Sequence, residues 1–213
     1  MKTKRKLNNK GFSLVELIVA VLIMGIVAGG AVVSFSTIYN ARVDSASSMV
    51  TNIMKQARQK ALALKNSTST TTNDTDVYAK FYVEGGDIYG EVDWLEEYTE
   101  PDETGTPVKK KRTQMLVNEK ICNTNIDMIF RNHDATKAVS IKVGDYSKNE
   151  SNIYVYFKKS TGGIAKILTR QDTADVDLSA VEIDADEIFM KGDTKQATIV
   201  MVAATGRSYN YYE

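Results

Sequence analysis

From Phe12 to Val33 the chain is almost continuously apolar, and no charged residue falls between Leu17 and Ala41. A run of 22 residues at about 1.5 Å per residue makes about 33 Å of helix, enough to cross a hydrocarbon core of about 30 Å. Beyond it the pattern becomes one-sided. In RVDSASSMVTNIMKQARQKALALK, the residues Val43, Ala46, Val50, Ile53, Ala57 and Leu64 recur three and four apart, with one step missed at Lys60. That period predicts a single helix from Phe12 to about Leu64, its outer half amphipathic and covered by a globular domain. A separate coiled coil would need more heptads than this seam supplies. The polar run NSTSTTTNDTD favours local side-chain hydrogen bonds over helix, so the helix is expected to stop near Asn66 and residues 66–76 to form an exposed loop.

Thereafter the period shortens. VYAKFYV and IYGEV flank Gly85-Gly86-Asp87; NIYVYFKK and IAKILTR flank Ser160-Thr161-Gly162-Gly163; VEIDADEIFMK and QATIVMVAA flank Gly192-Asp193-Thr194. Each pair reads as two β-rich segments joined by a tight turn. The expected class is α+β: a long N-terminal helix whose amphipathic half packs on one antiparallel sheet.

Charge changes this picture at one end only. The chain has 27 basic and 27 acidic residues, but Lys2, Lys4, Arg5, Lys6 and Lys10 precede the first acid. Without the first eleven residues the remainder counts 22 bases against 27 acids, a formal −5. Such a surface gives no general attraction to nucleic acid or anionic lipid, so binding of either requires a local patch. The basic start predicts a single-pass topology with the N-terminus in the cytoplasm and the rest of the chain outside. A cleavable signal peptide has a shorter apolar run ending in a small-residue cleavage site on its far side, unlike this one. A plain signal anchor leaves Glu16 unexplained, because an acid inside a membrane costs about 2.5–3.5 kcal/mol at mid-depth and points to a partner.

The stretch KGFSLVEL, residues 10–17, resembles the processing site of type IV prepilins and pseudopilins: a basic leader, Gly11 before the cut, Phe12 after it, and Glu16 fifth in the mature chain. The resemblance implies cleavage between Gly11 and Phe12 by a prepilin peptidase on the cytoplasmic side, and N-methylation of Phe12. It further implies that Glu16 is an assembly residue, its carboxylate pairing in a filament with the new amine of an adjoining subunit. Two charges stranded in a low-dielectric bundle cost far less together than singly. The alternative for Glu16 is that it merely snorkels to the headgroups. The resulting organisation is a leader over 1–11, a membrane-spanning or filament-core helix over 12–34, an amphipathic extension over 35–65 and a β-rich head over 66–213. Gly25 and Gly29 have the small-xxx-small spacing that lets helices approach closely. Many major pilins carry a proline in this segment, whereas here the only prolines are Pro101 and Pro107. That departure points towards a pseudopilin or minor pilin, with Gly29-Gly30 as a soft point.

The segments IYVYFKKSTGGIAKI and ATIVMVAATGRSYNY also resemble the C-terminal strands of minor pseudopilins of the GspH and FimT type. Some of those relatives bind DNA through a Gly-Arg-x-Arg tail. This chain has Gly206-Arg207-Ser208-Tyr209, and the missing second arginine counts against DNA contact through Arg207.

Elsewhere the chemistry is sparse. Seven acids lie between Glu91 and Glu103 with no base, followed by Lys109, Lys110, Lys111 and Arg112. Neighbouring opposite charges suit a solvated loop or hairpin better than a phosphate patch. The acids lack the ligand spacing and central glycine of an EF-hand. Ser160 and Thr161 stand outside any Gly-x-Ser-x-Gly elbow, and His133 reads as a surface loop residue. The single Cys122 forms no internal disulfide and reads as a small buried apolar side chain. No catalytic set, metal site or cofactor is expected. The expected partners are the prepilin peptidase, other pilin-like subunits through the N-terminal helix, and the inner or cytoplasmic membrane before assembly.

Overall fold

The computed structural model describes residues 13–64, 77–134, 140–145, 152–170, 180–193 and 195–212, the side chains of 31–36, 97, 111, 170 and 212 aside. The loop expected over 66–76 lies outside the described residues, as does the leader. Among the described residues one helix, α1 (Leu14–Leu64), is followed by eleven strands. Residues 1–38 and 39–213 form two compact units.

The second unit is built around the amphipathic part of α1. Val43, Ala46, Val50, Ile53 and Ala57 are buried as the period requires, and Leu64 packs half-buried against the same core. The step missing from the sequence pattern is filled by Ala61, which is fully buried. Lys60, next to it, instead lays its ammonium over the Trp94 ring at 3.6 Å. Alanine carries little hydrophobic weight, so its place in the stripe is not signalled by the sequence pattern.

The strands are β1 (Val77–Glu84), β2 (Asp87–Pro101), β3 (Pro107–Asn123), β4 (Asp127–Arg131), β5 (Ser140–Lys142), β6 (Asn152–Phe157), β7 (Ile164–Arg170), β8 (Val181–Ile183), β9 (Glu187–Lys191), β10 (Gln196–Val202) and β11 (Arg207–Tyr212). They form two sheets where the sequence suggested one: a six-stranded sheet ordered β3-β2-β1-β6-β7-β8 and a five-stranded sheet ordered β11-β10-β9-β4-β5. Their pairings are antiparallel. The three expected turns do join β1 to β2, β6 to β7 and β9 to β10, Thr194 of the third lying outside the described residues. At the first, Gly85 and Gly86 have φ of 59° and 84°, the positive pair that a two-residue primed turn demands.

The single-sheet expectation fails at VEIDADEIFMK. It divides into β8 and β9, on different sheets, at Asp184-Ala185-Asp186. Aspartate is a poor strand residue, and here its groups are used for anchoring instead. Asp186 Oδ1 accepts from the His133 amide at 2.7 Å, and the Asp184 carbonyl accepts from Asn132 at 2.9 Å. The inner faces of both sheets then share one core with α1, including Phe81, Phe157, Phe130, Met190 and Ile199.

Candidate functional site

Gly11 and Phe12 lie outside the described residues. Immediately after them, Ser13 caps α1. The Ser13 hydroxyl accepts from the Glu16 amide at 3.2 Å, and the Glu16 carboxylate accepts from the Ser13 amide at 2.9 Å. This is a reciprocal capping box, whose signature in the sequence is Ser-x-x-Glu. It fixes the carboxylate at the positive end of the helix dipole, so within one chain Glu16 already has a local partner. From Leu14 to Gly30, Glu16 aside, the helix is apolar on every side. Leu14 is 76% exposed, Leu22 60%, Met24 69% and Ile26 72%, so the surface is bare all round rather than on one stripe. A Cβ added at Gly25 or Gly29 would meet nothing within 4 Å. The helix runs through Gly29-Gly30 without a break.

Residues 6–32 match the prokaryotic N-terminal methylation motif. The motif indicates a type IV pilin- or pseudopilin-like protein, processed by prepilin peptidase. No curated protein and no solved structure matches the chain significantly. Among the described residues no helix is long and apolar enough to cross a membrane. The stretch with described side chains, Leu14–Gly30, amounts to about 26 Å of helix.

In the head of this pilin-like chain, Arg207 opens β11 with an exposed side chain. It shares a cleft of about 300 Å³ with Lys55 and Arg58 of α1, Ser208 and Tyr209. Among the described residues no acid lines the cleft, and Arg58 Nε donates to the Thr205 carbonyl at 2.6 Å. Sequence reasoning found Arg207 but missed both helix bases, which lie three apart and so share a face.

The turn that delivers Arg207 depends on glycine. Gly206 has φ of +64°, and a Cβ there would overlap the Gly162 carbonyl oxygen. The Gly206 amide donates to the Val202 carbonyl at 2.7 Å, and the Ile164 amide to the Ala203 carbonyl at 2.8 Å. Gly162 and Gly206 therefore let two turns press together backbone to backbone.

The charge-contrast segment is a hairpin, as expected. Arg112 pairs with Glu96 at 2.8 Å and Lys110 with Glu100 at 2.9 Å, across β2 and β3. Two of its bases are thus paired with acids at the exposed surface, which offsets the charge a phosphate patch would need. His133 is 82% exposed, with Nδ1 3.2 Å from Glu187. Cys122 is buried, and burial pushes its thiol up to about 12, which keeps it unreactive. Among the described residues no three His, Cys, Asp or Glu side chains group as a metal cage. A residue singled out by nothing in the sequence is Asp93, buried at 3% exposure with Oδ1 unpartnered.

Proposed function

We propose that this chain is a structural subunit, a minor pilin or pseudopilin, of a type IV pilus-like filament. In this reading the leader is cut between Gly11 and Phe12, Phe12 is methylated, and the helix holds the chain in the membrane with its head outside until assembly. The carrying observation is the methylation motif running directly into a helix whose apolar side chains stand exposed on every face. Such a surface is stable only when lipid or neighbouring helices cover it. Gly25 and Gly29 then serve close helix packing, and the Glu16 carboxylate exchanges its capping contact for the amine of an adjoining subunit. The strand, turn and Gly206-Arg207 at the C-terminus support placing the head with the GspH and FimT type.

The test is Glu16→Ala expressed in cells that have the dedicated peptidase. Processing to a methylated Phe12 terminus, read by mass spectrometry, should persist. Incorporation into sheared filaments should fall at least tenfold. Normal incorporation would sink the assembly role, and an intact lysine-rich start would sink the family reading itself.

A second reading is favoured by the cleft: the head of the same subunit captures DNA or another anionic ligand through Lys55, Arg58 and Arg207. A salt titration of residues 39–213 against duplex DNA tests it. Binding lost at moderate salt and on Arg207→Ala supports capture, whereas absence of binding at low salt removes it.

A further inference from the structure

Both walls of the Arg207 cleft carry charge of one sign. From Ser45 to Leu64 the helix has Lys55, Arg58 and Lys60 and no acid, and from Gln196 to Tyr212 the strands have Arg207 and no acid. Lys55 and Arg207 are exposed, while Arg58 is held by the Thr205 carbonyl at 2.6 Å. Lys55, Arg58 and Arg207 thus converge on about 300 Å³ with no countercharge among the described residues. Like charges gathered in one cleft repel, so the cleft favours an anionic occupant.

The same head carries an acidic tip that reaches away from it. Trp94, opposite Val77, is the last β2 residue paired with β1; among the described residues Leu95–Pro101 pair only with β3. At about 3.3 Å per residue that stretch extends about 23 Å beyond the sheet. Pro101 opposite Pro107 closes the ribbon, and residues 102–106 form an exposed turn. Asp102 Oδ1 accepts from the Thr104 and Thr106 amides at 2.9 Å each and from the Thr104 hydroxyl at 2.6 Å. All three bonds fall on Oδ1, so Oδ2 and the neighbouring Glu103 remain for an outside partner. Glu100, the acid just before the turn, is already paired with Lys110 at 2.9 Å. Within one chain the tip stays out of the cleft, whose lining includes neither Asp102 nor Glu103.

We propose that the Asp102-Glu103 tip of one copy seats in the cleft of Lys55, Arg58 and Arg207 on the next, joining heads in one direction along the filament. The contact rests on the filament reading above. Tip and cleft are different surfaces, so the interface is heterologous: a copy whose cleft is filled still presents a free tip, and the series continues instead of closing into a pair. Helices packed in a filament hold the heads at a high local concentration, so a few ion contacts suffice to set their register. Duplex DNA suits the cleft less well, because the chain without its leader counts 22 bases against 27 acids and repels a polyanion away from this patch.

The experiment treats sheared filaments, from cells that have the dedicated peptidase, with a zero-length carbodiimide, which joins a carboxylate to an amine in direct contact. Wild-type filaments should give a ladder of covalent dimers, trimers and larger species, with peptide mass spectrometry placing the link between Lys55 and Asp102 or Glu103. Lys55→Arg keeps the charge but offers no reactive amine, and should lose that link. Asp102→Asn combined with Glu103→Gln keeps the Oδ1 acceptor of the turn, so the chain should still be processed, while its incorporation falls about fivefold. Three results overturn the contact and leave the cleft to the anionic ligand of the second reading: filaments that contain the chain but lack the link, a link confined to dimers, or undiminished incorporation of the neutralised tip. A wild-type chain absent from filaments altogether sinks the filament reading, and this contact with it.

Discussion

Gly206 and Asp93 each place an unusual demand on a single residue. At Gly206 both the positive φ and the Gly162 carbonyl exclude a side chain. Gly206→Ala should therefore cost on the order of 3 kcal/mol or more, measured by urea unfolding of the head. Gly85→Ala shares only the backbone cost, with open space around its Cβ, and should cost about 1 kcal/mol. Asp93 ordinarily titrates near 3.8 but is raised to about 7 in the fold, mainly by burial. The native head thus keeps a proton that the unfolded chain gives up between those values. Stability from this group is complete below about pH 4 and is lost as pH rises through 7. Melting curves of Asp93→Asn and the wild type should diverge between pH 5 and 8, with the variant losing less stability.

At the scale of elements, α1 carries two different faces along one helix. Ile53 is fully buried and fills the space above Gly90, where a Cβ would overlap its Cδ1. Ile53→Ala should destabilise the head by about 2–4 kcal/mol through lost contacts and a cavity. Ile26→Ala, on the exposed stretch, should leave head unfolding unchanged. A second tie between α1 and the strands is polar: Lys195 pairs with Asp44 at 2.6 Å, and Thr51 hydrogen-bonds Asn210. Neither partner is signalled by spacing, since these residues are separated by more than a hundred positions.

For the whole molecule, the two compact units imply that the head's stability is its own. A fragment of residues 39–213 should melt within a few degrees of the full chain in detergent, as followed by circular dichroism; a fragment that fails to fold would show that the first unit is part of the core. The strand pairing of the head yields two sheets around one helix.

The methylation motif, the apolar run, the amphipathic stripe and the three tight turns were legible in the sequence because each is a local pattern whose period or dipeptide reports the backbone directly. The break at Asp184-Ala185-Asp186, the meeting of Lys55 and Arg58 with Arg207, and the burial of Asp93 were not. Each depends on which strand lies beside which, and a chain of alternating residues is compatible with several such arrangements. Only the packed core selects among them, because burying one face of every strand against the same helix admits few registers at once.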